Sequence, residues 1–149
     1  MEDNPAQILA RIRSVMKVTN VNPPATEAMV EGVEEALGVA FPPWLRRIYR
    51  ACNGFSGPTG VHYLWPLDGR EGVQEFTLFL RAEEYWPDWL DRAIVFSDNG
   101  LGGSITVHWA ALNGNLVEWC YGDSERFDVL EFDLFELWRR EQARWDAVG

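Results

Sequence analysis

The chain has 149 residues, with 13 Lys and Arg against 23 Asp and Glu, so its formal net charge is −10. This balance argues against a nucleic-acid-binding protein, because phosphate contacts require clustered Lys and Arg. A chain of this length can bury a core without a disulfide or a metal, which predicts a single domain over residues 1–149.

Apolar residues recur at helical spacing in the first third of the chain, where three helices are predicted. A capping residue or a proline opens each helix, and a glycine stops the second and third. The paired prolines within residues 19–25 predict an irregular connector. The helices are expected from the N-cap Asn4 to about Lys17, from the cap Thr26 to about Leu37, and from Pro43 to about Cys52.

Beyond residue 57 the apolar period changes to two, which is typical of strands. Strands are predicted over residues 61–67, 93–97, 104–109 and 116–121. Asn113-Gly114 favours the positive φ values of a tight turn, so the last two strands are expected to form an antiparallel hairpin. Residues 76–92 show both periods, and the pattern leaves their structure open.

A closing helix is predicted after Asp133, which has capping-box spacing to Glu136. Leu134, Leu137 and Trp138 would lie on its inward face. Helices followed by strands and a last helix indicate an α+β fold. We expect helices packed on a mainly antiparallel sheet of about four to six strands.

No sequence motif indicates catalysis. Ser104 follows two glycines but lacks the spacing of a nucleophile elbow and leads into a strand. The glycine-rich residues 98–103 have no helix behind them, which a phosphate cradle requires. Carboxylate pairs are frequent, but none lies in an apolar setting that would raise its pKa. We therefore predict that the chain is not an enzyme and uses no cofactor.

Cysteine and histidine spacing gives no metal motif. Cys52, His62, His108 and Cys120 have suitable atoms for zinc, but their spacing fits no known short motif. The cysteines are predicted to be buried free thiols, and the histidines to face solvent or pack loosely. No signal-peptide pattern or membrane-length apolar run is present, which predicts a soluble, cytoplasmic protein.

The negative charge lies in the C-terminal part of the chain. Residues 1–67 carry six basic and six acidic residues, whereas residues 68–149 carry seven basic and seventeen acidic ones. Residues 118–136 alone hold seven acids and one base, Arg126. Such a stretch repels itself, so it forms either a solvated acidic face or a binding surface for a basic partner.

Tryptophan is frequent, with eight residues in the chain. Trp44 and Trp138 fall on apolar helix faces and are predicted to be core residues. Trp119 and Tyr121 share one strand face, which is either an exposed aromatic surface or part of a buried sheet. The turn Trp86-Pro87-Asp88-Trp89 is flanked by acids, and one of its tryptophans is expected to be exposed.

Several motifs occur in a characteristic order along the middle of the chain. A helix ending in leucine-glycine leads through a hydrophobic-proline step to a second helix and an asparagine-glycine turn. An aromatic strand, a strand leading into a glycine loop, and a hairpin follow. These features are at Leu37-Gly38, Phe41-Pro42-Pro43, Tyr49, Asn53-Gly54, residues 63–67, 93–100 and 113–119. Their order resembles the SUKH superfamily, also called the Smi/Knr family, over about residues 26–137.

The resemblance implies a single α+β domain without catalytic machinery. Bacterial members are regarded as immunity proteins that bind and neutralise polymorphic or contact-dependent toxins, many of them nucleases. Fungal relatives regulate cell-wall synthesis through protein partners. Family members often carry an acid after the glycine loop and another in the next strand. This chain has Ser104 and His108-Trp109-Ala110 there, so the role of those acids is not transferred.

We therefore predict a non-catalytic protein-binding domain, specifically an immunity protein that neutralises a basic bacterial toxin domain. Acidic residues would steer the toxin and pair with its phosphate-binding arginines and lysines, and aromatic residues would anchor the desolvated centre. Neither a membrane nor nucleic acid is an expected partner. The candidate partner-binding residues are Glu118, Trp119, Tyr121, Asp123, Glu125, Asp128 and Trp86.

Two other functions stay open at the level of sequence. One is an intracellular adaptor or regulator of another protein, as in the fungal branch. The other is a carbohydrate-binding domain, because tryptophans beside carboxylates suit sugar recognition. The lack of a signal-peptide pattern counts against the carbohydrate-binding alternative.

Overall fold

The structure is a computed structural model that describes residues 4–69, 72–82, 91–98, 106–110, 114–120 and 127–148. Within these residues the chain forms five helices and seven strands. The helices are α1 (Pro5–Val15), α2 (Glu27–Leu37), α3 (Pro43–Ala51), α4 (Val73–Arg81) and α5 (Leu134–Val148). The strands are β1 (Asn20–Val21), β2 (Phe55–Ser56), β3 (His62–Leu64), β4 (Ile94–Asp98), β5 (Thr106–Ala110), β6 (Leu116–Cys120) and β7 (Phe127–Val129).

Local capping sets the boundaries of the first two helices. Asn4 Oδ1 accepts the amide N–H of Gln7 at 2.9 Å, and Gln7 Oε1 accepts the amide of Asn4 at the same distance. Thr26 caps α2 through its side-chain oxygen, and Gly38 ends α2 in the left-handed region with φ +70°. These signals depend only on neighbouring residues, and the helices predicted from them are confirmed.

The closing helix is also confirmed, including its cap. Asp133 Oδ1 accepts the amide N–H of Glu136 at 2.9 Å, as the capping-box spacing predicts. The Glu136 carboxylate does not return to the cap but bonds the Arg139 guanidinium at 2.7 Å. This pairing lowers the pKa of Glu136, mainly through the hydrogen bond from Arg139.

The strands form two antiparallel sheets in the described part of the chain, ordered β1-β2-β3 and β4-β5-β6-β7. They meet where the amide of Trp65 donates to the carbonyl oxygen of Phe96 at 2.9 Å. The α+β prediction is therefore confirmed. The single sheet of four to six strands is instead two smaller sheets with three and four strands.

The strand predicted over residues 61–67 is shorter because its later backbone groups bond elsewhere. β3 stops before Trp65, whose amide turns to the four-stranded sheet. Pro66 has no N–H, and the amide of Leu67 donates to Asn53 Oδ1 at 2.8 Å. The ladder between β2 and β3 therefore cannot continue past Leu64.

Three short strands, β1, β2 and β7, were not indicated by the sequence. Residues 19–25 were expected to be irregular, but Asn20 and Val21 pair with Ser56 and Phe55. β7 pairs with β6 after residues 121–126, which lie outside the described residues. Strands of two or three residues are too short to show a period.

The predicted hairpin is confirmed, since β5 pairs antiparallel with β6 from Thr106↔Cys120 to Ala110↔Leu116. Gly114 has φ +82° at the turn. Residues 76–92, whose structure the sequence pattern left open, begin within a helix, α4. The Thr77 hydroxyl of this helix bonds the Val95 backbone on β4. Residues 83–90, including the Trp86 turn, and 99–105, including most of the glycine loop and Ser104, lie outside the described residues.

One continuous core joins the helices to both sheets. Trp138 on α5 is fully buried, and its ring lies 4.9 Å from Phe55 on β2 in an edge-on arrangement. The Arg81 guanidinium on α4 donates to the carbonyl oxygens of Leu37 and Ala93 at 2.8 and 3.1 Å. α2, α4 and the start of β4 are therefore fixed relative to one another.

We expect Gly54→Ala to lower the free energy of unfolding by roughly 1–3 kcal/mol. Gly54 has φ +95°, and an added Cβ would lie 2.8 Å from the carbonyl oxygen of Leu64 and 2.9 Å from the nitrogen of Pro66. Gly60→Ala is the matched control, because Gly60 has φ +84° but open space around it. Urea denaturation should show the larger loss for Gly54→Ala, and equal losses would contradict the close approach.

Candidate partner-binding surface

Two of the seven predicted site residues are brought face to face. Glu118 on β6 is the direct cross-strand partner of Asp128 on β7. Directly opposite residues on neighbouring antiparallel strands have Cβ atoms about 5 Å apart. Asp128 is exposed and Glu118 is half-buried, so the two carboxylates form an accessible pair. We call Glu118 and Asp128 the acid pair.

The prediction that Trp119 anchors a partner is not supported by its position. Its side chain is only 3% exposed, and it lies on the same face of β6 as the fully buried Val117. Both residues belong to the core cluster. Strand alternation predicts which residues share a face but not which face is covered, and here the Trp119 face is covered. Trp119 is therefore a core residue.

The other four predicted residues are Tyr121, Asp123, Glu125 and Trp86, and all of them lie outside the described residues. Tyr121, Asp123 and Glu125 belong to the chain segment that connects β6 to β7. Their role therefore stays a prediction.

Arginines of the same chain hold two acidic residues of the N-terminal part. Arg46 on α3 bonds both Glu27 and Glu34 on α2, and Arg50 bonds Glu27 at 3.0 Å. The hydrogen bond with Glu34 is the main cause that raises the pKa of Arg46. These ion pairs neutralise Glu27 and Glu34 within the chain. The net negative charge of the chain comes from residues 68–149.

A groove of about 660 Å³ adjoins the acid pair on the same face of the sheet. Its floor includes Leu116 and Leu130, which are two residues from Glu118 and Asp128 respectively and therefore share their face. The amide of Leu130 donates to the carbonyl oxygen of Leu116 at 2.9 Å, which extends the pairing of β6 and β7 into the groove.

Three helices supply the walls of this groove, which we call the Trp44 groove. α1 contributes Ile8 and Arg11, and α3 contributes Trp44, Arg47 and Ile48. The remaining lining comes from the turn before β6, from the segment between β7 and α5, and from the first two residues of α5. Those residues are Gly114, Asn115, Glu131, Phe132, Asp133, Leu134 and Phe135.

Trp44 is held in place by contacts on two sides. Its Nε1 donates to the carbonyl oxygen of Gly114 at 2.6 Å, and its ring stands edge-on to Phe96 with centroids 6.0 Å apart. Trp44 is half-buried, so the prediction of a core tryptophan describes only part of its surface. The rest of the ring faces the groove and is fixed there before any partner binds.

Charges of both signs line the groove. The Arg11 guanidinium lies over the Phe135 ring at 3.9 Å and also 3.9 Å from the Asp133 carboxylate. Arg47 and Glu131 line the groove as well. The lining therefore carries two arginines and two carboxylates.

Sequence reasoning missed the groove-lining residues between β7 and α5. Phe132 and Phe135 are half-buried, and Glu131 and Asp133 are exposed beside them. The alternation of acidic and aromatic residues in this stretch was the available signal. It was read only as part of the acidic run and the helix cap, because β7 was not predicted.

The described cysteine and histidine side chains give no metal centre. Cys52 is a buried free thiol, as predicted, and His62 is exposed, as predicted. The side chains of His108 and Cys120 are not described. Among the described residues, no three His, Cys, Asp or Glu side chains form a group that could hold a metal ion.

Burial raises the pKa of the Cys52 thiol to about 11, and we expect native Cys52 to resist alkylation at pH 9. The folded pKa exceeds the unfolded one, so the stabilisation from the neutral thiol is present below pH 9 and lost as pH rises through 11. Iodoacetamide labelling of a Cys120→Ser variant, followed by mass spectrometry, isolates Cys52. Labelling as fast in native buffer as in urea would contradict this prediction.

Comparison with protein families gives one match in the same region as these features. The family model described as SMI1 / KNR4 family (SUKH-1) matches residues 24–138. The match begins just before α2 and ends within α5, so it includes both sheets and most of the groove. Comparison with curated proteins finds no match. No helix in the described part of the chain is long and apolar enough to cross a membrane.

Proposed function

Because the chain belongs to the SMI1 / KNR4 family (SUKH-1), we propose that it is an immunity protein that binds and neutralises a basic toxin domain. Members of this family typically bind protein partners and are generally non-catalytic, either as immunity proteins or as regulators. The proposed site of action is the cytoplasm, where the toxin would meet its target.

The acid pair beside the Trp44 groove is the observation that supports this proposal most. Glu118 and Asp128 lie directly opposite on neighbouring strands, which concentrates negative charge at one place on the surface. An arginine or lysine of a partner is the group that this concentration of negative charge would attract. Such basic residues are those that a nuclease uses to hold phosphate, so pairing with them would block the nucleic acid from binding.

The predicted residues outside the described part stay in the proposed interface. Asp123 and Glu125 would add negative charge on the connection that leads into β7, close in sequence to Asp128. Tyr121 and Trp86 would supply aromatic contacts in place of the buried Trp119. The proposed mechanism is thus electrostatic attraction by the acids followed by desolvation of aromatic surface.

We expect the chain to bind the toxin domain encoded beside its gene with an association rate that falls as salt rises. Between about 0.01 and about 1 M ionic strength the Debye length falls from about 30 to about 3 Å, so steering by the acids is screened. Surface plasmon resonance measures the rates, and co-expression measures protection from the toxin. No binding, or an association rate independent of salt, would contradict the proposal. Binding without protection would identify a regulator instead.

A further inference from the structure

The outer side of β7 is a strand edge that presents main-chain hydrogen-bonding groups. β7 is the last strand of its sheet, and its register on β6 places Val129 opposite Val117. The next pair is hydrogen-bonded, since the amide of Leu130 donates to the carbonyl oxygen of Leu116 at 2.9 Å. Antiparallel pairs alternate, so the N–H and C=O groups of Val129 point away from β6. Among the described residues, none pairs with this side of β7.

The opposite edge of the same sheet, on β4, is closed by other parts of the chain. The Thr77 hydroxyl accepts the amide N–H of Val95 at 3.1 Å and donates to the carbonyl oxygen of Val95 at 3.3 Å. The amide of Trp65 donates to the carbonyl oxygen of Phe96 at 2.9 Å. Sheets cover their edges in this way because an open edge is a template for another strand. Within the described residues, the sheet is thus closed at β4 and open at β7.

Val129 gives the open edge an apolar side chain that is 49% exposed. Its cross-strand neighbour Val117 lies on the same face and is fully buried. Directly opposite side chains have Cβ atoms about 5 Å apart, so the layer that covers Val117 ends within one side chain of Val129. A further strand beside β7 would place one of its side chains next to Val129 and extend the covered face. The edge therefore suits an extended segment with an apolar residue at that position.

The charge of the chain decides between a second copy and another protein as the source of this segment. Each copy has a net charge of −10, and Asp128 and Glu131 are exposed on and just after β7. Pairing β7 with β7 of a second copy would bring these same acids together, and like charges repel. A neutral or basic segment of a different protein meets no such repulsion. The favoured occupant is therefore a strand of a partner protein.

From these features we propose that the β7 edge binds an extended segment of the protein partner, which adds a fifth strand to the four-stranded sheet. The main chain of the partner bonds the N–H and C=O groups of Val129, and one of its apolar side chains covers the Val129 side chain. For the identity of the partner this inference rests on the proposed function, since the segment would belong to the toxin domain. The edge itself can be tested without the toxin.

The first probe is a phage library of random peptides selected against the full chain. Enriched peptides should alternate apolar and polar residues and lose at least about tenfold in affinity on Val129→Pro, equivalent to about 1.4 kcal/mol. Proline removes the N–H that points away from β6, and edge strands tolerate proline at such positions. Val129→Thr is the matched control, because it keeps the N–H and the branched shape and should keep most of the affinity. Circular dichroism checks that both variants are folded.

A second measurement uses the unmodified chain and so does not depend on the folding of a variant. Hydrogen exchange of the Val129 amide, followed by nuclear magnetic resonance, should slow at least about tenfold when a selected peptide or the toxin domain binds. The amide of Leu130 is the internal reference, because it already bonds the carbonyl oxygen of Leu116. Its exchange should change much less than that of Val129.

The outcomes distinguish the edge from the proposed function. Peptides that slow exchange at Val129 and compete with the neighbouring toxin support both. The same peptides without any toxin binding support the edge inference and refute the immunity function. Selection that yields no peptide sensitive to Val129→Pro, or a toxin that binds while the Val129 amide exchanges as before, overturns the edge inference alone. A dimer in sedimentation that Val129→Pro dissociates would make a second copy the occupant and would also overturn it.

Discussion

Trp138→Ala is expected to lower the free energy of unfolding by about 3–5 kcal/mol, the usual cost of removing a buried tryptophan. Trp138 is fully buried and contacts two parts of the fold through its ring. The ring stands edge-on to Phe55 at 4.9 Å and to Phe135 at 5.8 Å. Its Nε1 also donates to the carbonyl oxygen of Tyr63 at 3.3 Å, so α5 is attached to the three-stranded sheet by packing and by a hydrogen bond.

Urea denaturation followed by circular dichroism measures this loss, and two further variants make it interpretable. Phe79→Ala is the control, because Phe79 is 56% exposed and its loss should change the free energy of unfolding by at most about 0.5 kcal/mol. Trp138→Phe keeps an aromatic ring but removes the N–H, so we expect a smaller loss of about 1–3 kcal/mol. Equal stability of Trp138→Ala and Phe79→Ala would refute the central position of Trp138.

The consequence for binding follows from the position of Phe135. This residue lines the Trp44 groove and packs edge-on against Trp138. A cavity at Trp138 would loosen the start of α5, and with it one wall of the groove. Partner affinity should therefore fall in Trp138→Ala even where the protein remains folded, although Trp138 itself contacts no partner.

Features that depend on neighbouring residues were predictable from the sequence. Asn4, Thr26 and Asp133 cap helices through contacts within three residues, and Gly114 lies in the predicted hairpin turn. Features that depend on distant residues were not predictable. β1 becomes a strand only because Ser56 and Phe55 lie beside it, and two residues alone carry no periodic signal.

The candidate site also combines features that neighbouring residues determine with features that depend on distant residues. The acidic density of residues 118–136 suggested Glu118 and Asp128 as candidates, but their pairing required the register of β7 on β6. Trp119 has the composition of an anchor, yet burial depends on what packs above the strand. The Trp44 groove was inaccessible to sequence reasoning because α1, α3, the β6 turn and the start of α5 meet there from distant parts of the chain.

Asp128→Lys is expected to weaken toxin binding at least about 100-fold, equivalent to about 2.7 kcal/mol, while leaving folding stability unchanged or higher. The substitution puts a cation opposite Glu118, where a basic residue of the partner is proposed to bind. An opposite-charge cross-strand pair contributes roughly 0.2–1 kcal/mol to a sheet, and Asp128 is exposed, so the substitution should not destabilise the fold. Binding should therefore weaken without a loss of stability, which loss of folding cannot cause.

Calorimetric titration of the toxin domain and urea denaturation measure the two quantities. Glu35→Lys is the matched control, since it makes the same change of charge at an exposed position on α2. A long-range effect of net charge would weaken binding by both variants and disappear at high salt, because exposed charges beyond a Debye length are screened. A local effect at the acid pair persists in Asp128→Lys at high salt, where Glu35→Lys binds like the unmodified chain. Equal losses in the two variants would place the toxin elsewhere on the surface.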